Sequence, residues 1–236
     1  MVFTAEQHVG EIVAAFPDSA NLFKSYGVDF CCGGGRPLSA ALAEKAIAPD
    51  QFLAKLNQAY AASLSRAESG SQIDWRNVAY SALIGQIVGM HHDYLREELP
   101  VLSGFVTKIA KVHGDRHPEL LTLHRQFHDL KAELESHLAD EEANVFPLIR
   151  AYERSRNQED LVRALAMISE LESEHEAAGD LLKAMRETTQ GFSVPADGCR
   201  TYDLAYRKLE ALESDMFTHV HLENNILFPR LRSELR

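Results

Sequence analysis

No apolar run in this sequence approaches the roughly 18 consecutive residues that a membrane-spanning helix needs, so no membrane contact is expected. Nor is there an excess of base. Lys and Arg number 24 against 35 Asp and Glu, a formal net charge of -11. That balance argues against nucleic acid or an anionic lipid surface as the main partner, although an acidic chain can still dock on a basic protein patch. Cysteine is scarce and odd in number, 3 in all, with Cys31 and Cys32 adjacent. Such a set is unlike the even, spaced cysteines of a secreted disulfide framework. The start, MVFTAEQHVGEIVAAF, has neither a basic segment nor a long apolar core. No signal peptide is therefore expected, and the expected location is the cytoplasm. Alternation of period two is nearly absent, so β-structure lacks its signal and an all-α chain is expected.

What is present divides at a small, polar stretch, SLSRAESGSQ (63–72). Residues 1–65 read as a small helical domain whose short patterns are broken by Pro17, the glycines 33–35, Pro37 and Pro49. Residues 75–236 carry four long segments with apolar residues every three or four positions. The first stripe is Val88, His92, Leu95, Leu99, Leu102, Val106. The second runs from Leu120 through Phe127 and Leu134 to His137, Glu141, Val145 and Leu148. The third runs from Leu161 through Ile168 and Leu171 to His175, Ala178 and Met185, and the fourth is Leu209, Leu212, Met216, His219, Glu223, Ile226. Loops near 112–118, 151–158 and 190–201 are short enough for an up-down-up-down four-helix bundle.

Each stripe carries one histidine, and two add a glutamate. HLADEEANVFPLIR (137–150) and HVHLENNILFPRLR (219–232) share the pattern H-x3-E-x4-F-P-x2-R. The second and fourth helices thus read as equivalents, parallel and diagonal in such a bundle, with a pseudo-twofold site between them. Each proline is placed to kink or end its helix. A spacing of four puts an imidazole and a carboxylate on one helix face, a single turn apart. His92, His137, His175 and His219 with Glu141 and Glu223 give more donors than one tetrahedral zinc site takes. They suit two metal ions bridged by the two carboxylates, and the cations offset the cost of burying acid. Imidazole with carboxylate admits iron, manganese or zinc, and bridged pairs in helical bundles favour iron or manganese. A single histidine on an apolar face is usually a hydrogen-bonded core residue; four, with two matched glutamates, are not a coincidence.

The other candidates are weaker. His91 lies beside His92 but off the inner stripe. His221 points away from His219 toward an expected surface role, and His124 and His128 form an expected exposed pair. Glu133 and Glu174 are either partners of the ligands or ordinary surface acids. Cys199 is expected to be a packed loop thiol. Cys31 and Cys32, in YGVDFCCGGG (26–35), are either two inert thiols at a turn or a pair that receives, passes or binds iron or reacts with nitrosyl species. A thiol at a glycine-rich turn, near a helix start, is a candidate for a lowered pKa, and adjacent cysteines bridge only with strain.

His92, His137-x3-Glu141, His175 and His219-x3-Glu223 resemble the hemerythrin-like, or HHE, cation-binding domain, over about residues 75–232. Leu171 and Gly179 stand where oxygen-carrying hemerythrins have a second histidine on the third helix. Fewer histidines imply more open metal positions, which favours small-molecule reaction or iron release over oxygen carriage. The run GEIVAAFPDSANLFKSYGVDFCCGGGRPL, with LESEHEAAG (171–179) and HLENNILFPR (221–230), resembles the ScdA/YtfE-type repair of iron centres family across nearly the whole chain. The resemblance implies a cytoplasmic protein with two carboxylate-bridged iron ions, active on iron–sulfur clusters damaged by nitric oxide or oxidants. It also implies a homodimer, damaged iron–sulfur proteins as clients and NO or O2 as small-molecule partners. Cys31 and Cys32 would assist iron transfer. Two rival expectations are a nitric oxide- or peroxide-reducing enzyme and an oxygen or redox sensor.

Overall fold

A computed structural model describes residues 2–66 and 73–235; most of the polar stretch read as a domain boundary, 67–72, lies outside the described residues. The helices are α1 (Val9–Ala15), α2 (Ser19–Ser25), α3 (Leu38–Glu44), α4 (Pro49–Arg66), α5 (Tyr80–Gln86), α6 (Asp93–His113), α7 (Glu119–Asp140), α8 (Phe146–Ser155), α9 (Gln158–Thr188), α10 (Arg200–Leu222) and α11 (Phe228–Ser233). Among the described residues there is no strand, and a lone antiparallel bridge joins His8 to Pro37. The fold is all-α, as the missing period-two signal predicts. No helix is long and apolar enough to cross a membrane.

The chain divides into two compact units: Met1–Leu83 together with Phe217–Arg236, and Ile84–Met216. In the first, Pro37 immediately precedes α3 and Pro49 opens α4. A missing N–H costs nothing at a helix start, so proline punctuates these short helices. Gly27, with φ +64, lets the chain turn back after α2. The core of this unit is aromatic. Phe23, Phe52, Leu38 and Leu42 are fully buried, each contributing about 1.5–3 kcal/mol of transfer free energy. Phe23 meets Phe52 at 5.2 Å, and Phe30 meets Phe217, from the returning end of α10, edge-on at 5.7 Å.

In the second unit α6 packs on α7, and α7 and α8 pack on α9. The buried residues of α7 are those of the expected stripe, Leu120, Leu123, Phe127, Leu130, Leu134 and His137, with Leu138 in addition. Ion pairs tie α10 to its neighbours, Lys208 to Glu98 on α6 and Arg186 on α9 to Glu213 at 2.6 Å. Asn157 caps α9 by accepting the Glu159 backbone N–H at 3.0 Å.

Three helical segments widen into π turns: Ile87–His92, Glu141–Val145 and Glu223–Leu227. Their defining bonds reach five residues back, from Asp93 N–H to the Val88 carbonyl, Phe146 to Glu141, and Phe228 to Glu223. Pro147 and Pro229, expected to kink or end their helices, follow the π turns without ending them. A proline lacks the N–H that would bond the carbonyl four residues earlier, and the wider turn spans that gap. Each π turn inserts a residue and rotates the apolar stripe beyond it. Ile87 is therefore buried instead of Val88, and Ile149 instead of Leu148.

Candidate metal centre

The π turns occur where the ligand candidates are. In the second unit His92 ends one, Glu141 begins another, His137 lies one α-turn before Glu141, and α9 presents His175. All four are buried, His92 and Glu141 completely. Glu141 Oε2 lies 3.3 Å from His92 Nε2 and 3.4 Å from His137 Nε2. His137 Nε2 and His175 Nε2 face each other at 3.0 Å. His137, Glu141 and His175 offer ligand atoms all within 4.8 Å of one another.

The outer ring nitrogens are engaged by carboxylates. His92 Nδ1 meets Glu142 at 2.7 Å, and Arg96 also donates to that same carboxylate oxygen. His137 Nδ1 meets Glu174 at 2.6 Å. A carboxylate only accepts, so each Nδ1 carries the proton and each Nε2 turns its lone pair toward Glu141. Burial pushes the Glu142 carboxyl up, but the His92 and Arg96 hydrogen bonds outweigh it and hold Glu142 below the usual carboxylate range. Burial raises Glu174, with Asp140 adding to the shift and His175 opposing it.

In the first unit His219 and Glu223 are both completely buried, with His219 Nε2 3.2 Å from Glu223 Oε1. They repeat the His137–Glu141 arrangement: histidine at the end of an α-helix, glutamate opening a π turn.

This donor set fits a cation. Ligands on an ion with bonds of about 2.1 Å stand roughly 3.0–3.4 Å apart at octahedral to tetrahedral angles. The separations of 3.0, 3.3, 3.4 and 3.2 Å fall in that range. Lone pairs and carboxylate oxygens converging in a dry interior repel one another unless positive charge stands between them.

Comparison with known proteins agrees. Residues 84–231 match the Hemerythrin HHE cation binding domain, and residues 5–60 match a domain of unknown function, DUF542. An iron–sulfur cluster repair protein YtfE of Enterobacter sp. (strain 638) is 37% identical over 225 residues, 95% of this chain and 96% of that protein. An iron–sulfur cluster repair protein ScdA of Staphylococcus haemolyticus is 34% identical over 227 residues, 96% of this chain and 98% of that one. A YtfE of Escherichia coli O81 (strain ED1a) is 35% identical over 225 residues. The chain belongs to the ScdA/YtfE family.

Several residues depart from expectation. His221, read as a surface residue, is buried against Phe30 with ring centres 6.0 Å apart, and burial lowers its pKa to about 4. His91, off the expected stripe, is buried too, because the π turn brings adjacent residues inward; its Nδ1 meets Asp215 at 2.8 Å. His124 and His128, expected to be exposed, are half-buried and bond the α6 hydroxyls of Thr107 at 3.1 Å and Ser103 at 3.0 Å. Of the two acids left open, Glu174 bonds a ligand candidate and Glu133 is exposed. Cys199 is exposed, not packed.

The sulfurs of Cys31 and Cys32 lie 3.9 Å apart, too far for a bond between them. Cys31 is buried, and its Sγ lies 3.2 Å from Asp29. The turn does not lower its pKa. The hydrogen bond with Cys32, burial and the Asp29 charge push the Cys31 thiol well above its ordinary value. Sequence reasoning missed Glu142, Asp215 and Asn225. Asn225, two residues beyond Glu223, donates to the Phe30 and Cys31 carbonyls at 3.2 and 2.9 Å. The signal for Glu142 was its place beside Glu141; Asn225 left none.

Proposed function

We propose that this protein repairs damaged iron–sulfur clusters, with His92, His137, Glu141, His175, His219 and Glu223 holding two carboxylate-bridged iron ions. The observation that carries the reading is the convergence of buried imidazole Nε2 atoms on Glu141, with His92 and His137 each backed by a carboxylate at 2.7 and 2.6 Å. Such backing fixes ring orientation and raises ligand basicity. The H-x3-E repeat and the matching π turns support assigning His219 and Glu223 to the same centre. When bound, iron would supply a labile, redox-active cation.

The chain's own groups have distinct tasks in this reading. Glu142 and Glu174 retain the Nδ1 protons, so metal entry or exit leaves the ring tautomers unchanged. Cys31 is protonated at neutral pH, and a metal ion displaces such a proton more readily than water does. It therefore serves as a thiol that ionises only on accepting iron, with Cys32 beside it. Asn225 holds the Cys31 backbone to the π turn that begins at Glu223. Clients would be iron–sulfur proteins injured by nitric oxide or oxygen, the location the cytoplasm and the assembly a homodimer.

The test uses an iron–sulfur protein whose cluster has been destroyed by nitric oxide. Anaerobic iron-loaded protein should restore the cluster, with loss of iron from this chain matching iron gained by the client. Protein with Cys31→Ala and Cys32→Ala should restore it more slowly. Repeated turnover of nitric oxide with an electron donor, and no iron transfer, would instead indicate a reductase.

A further inference from the structure

Far along the sequence from the metal-ligand candidates, within the second unit, the end of α6 and the loop before α10 bring together a second set of reactive groups. Cys199 immediately precedes α10 and is exposed. Its Sγ lies 3.2 Å from Nε2 of His113, the last residue of α6. His113 is 5% exposed, and the sulfur is its only side-chain hydrogen-bond partner among the described residues. Its other nitrogen, Nδ1, is buried with no partner among them. A proton on Nδ1 would thus be a buried donor with nothing to bond, whereas on Nε2 it donates to sulfur. The imidazole is held in place by Tyr202, whose ring lies edge-on at 5.5 Å. The nearby acid is occupied: Asp197 accepts from His117 Nε2 at 3.0 Å and pairs with Arg116 at 3.5 Å.

We propose that Cys199 is a site of reversible S-thiolation, made nucleophilic by the imidazole of His113 and by the backbone N–H groups that open α10. Thiolates are favoured beside an imidazole donor and at a helix N-terminus, and reaction requires access. Cys199 combines all three. Its thiol is held below the ordinary range, chiefly by the Tyr202 N–H; burial is the next effect and opposes it, and the Thr201 N–H and hydroxyl add to the lowering. Cys31 has the opposite surroundings, buried and beside a carboxylate. In the step, the Cys199 thiolate attacks one sulfur of a low-molecular-weight disulfide. A Cys199–sulfur bond forms, the reagent's S–S bond breaks, and the departing thiolate takes up the proton that Cys199 released. Cys199 is oxidised and half of the disulfide is reduced; a second free thiol reverses the exchange. The proposal is independent of cluster repair.

The experiment treats the full chain, folded and urea-unfolded, with oxidised glutathione near neutral pH, and follows each cysteine by peptide mass. A tenfold gain in thiolate fraction is partly offset by lower intrinsic nucleophilicity, leaving about a threefold net acceleration. In the folded protein Cys199 should form the mixed disulfide at least about threefold faster than in the unfolded chain, while Cys31 stays unmodified. His113→Ala should remove the part of that acceleration that the α10 N–H groups do not supply, and His113→Gln, which keeps an N–H donor at similar reach, should retain most of that part. Equal rates for Cys199 in folded and unfolded chains, or no effect of His113→Ala in a folded protein, would overturn the proposal. If both variants unfold, the wild-type comparison of folded with unfolded rates decides alone.

Discussion

Replacing Gly34 by alanine should loosen the attachment of the cysteine turn to the end of α10 and its π turn. A Cβ on Gly34 would stand 2.4 Å from Asn225 Oδ1 and 2.9 Å from both its Cγ and Nδ2. A Cβ on Gly10 would stand 2.2 Å from the same oxygen, so the amide is packed closely against the backbone of both glycines. Two glycines therefore enclose one side chain whose Nδ2 donates to the Phe30 and Cys31 carbonyls. Displacing it forfeits two hydrogen bonds at about 1 kcal/mol each and adds overpacking of about 1–3 kcal/mol. Relaxation shares these costs, so the expected destabilisation is about 2–4 kcal/mol, on the order of a 10 °C fall in Tm. The cause is isolated by a double-mutant cycle with Asn225→Ala, followed by urea unfolding and by exchange of amides in residues 9–44. In the Asn225→Ala background the clashing atoms are gone, so Gly34→Ala should cost less than about 0.5 kcal/mol. An equal cost in both backgrounds would refute this account of the glycine, as would a wild-type Tm for Gly34→Ala alone.

Other outcomes follow from the same geometry. Glu142→Gln and Glu174→Gln should each weaken iron binding by about 10–100-fold while leaving the helical content intact, measured by chelator competition and circular dichroism. Cys31 makes stability pH-dependent with a definite sign. Its thiol is raised above the ordinary value of 9.0, so the folded state keeps a proton that the unfolded chain loses. That contribution is complete below pH 9.0 and is lost as pH rises toward the folded-state value. Urea unfolding should therefore show stability falling above that pH by up to about 1.4 kcal/mol per pH unit. Cys31→Ser should flatten the curve, and an unchanged slope would place its origin elsewhere.

Much of the bundle was legible because its helices are long and their stripes regular. Leu120 to His137 keeps one phase, and the structure buries that set. Phasing failed beyond the π turns, where Ile149 replaces Leu148, because nothing in a helical period announces one inserted residue. The separate π turn at Ile87–His92 likewise buries His91 beside His92. His-x3-Glu spacing is local, so those pairs could be read directly; their carboxylate partners depend on which helices meet. Glu174 answers His137 from another helix, which no spacing within one segment discloses. His221 and Asn225 owe their surroundings to Phe30 and Cys31, nearly two hundred positions away. The expected ease of ionising Cys31 failed for a related reason. A glycine-rich turn suggested exposed backbone donors, but Asp29 takes the Cys31 and Gly33 N–H groups at 2.9 and 3.0 Å and sets its charge against the sulfur.

The most direct test of the metal centre is iron content with Mössbauer spectra of protein isolated without air, wild type beside His175→Ala. The account predicts about two irons per chain as a coupled pair, with His175→Ala losing the coupling while staying folded. A single zinc, or a folded wild-type chain that takes up no metal, would contradict it and leave the six buried residues as a polar core.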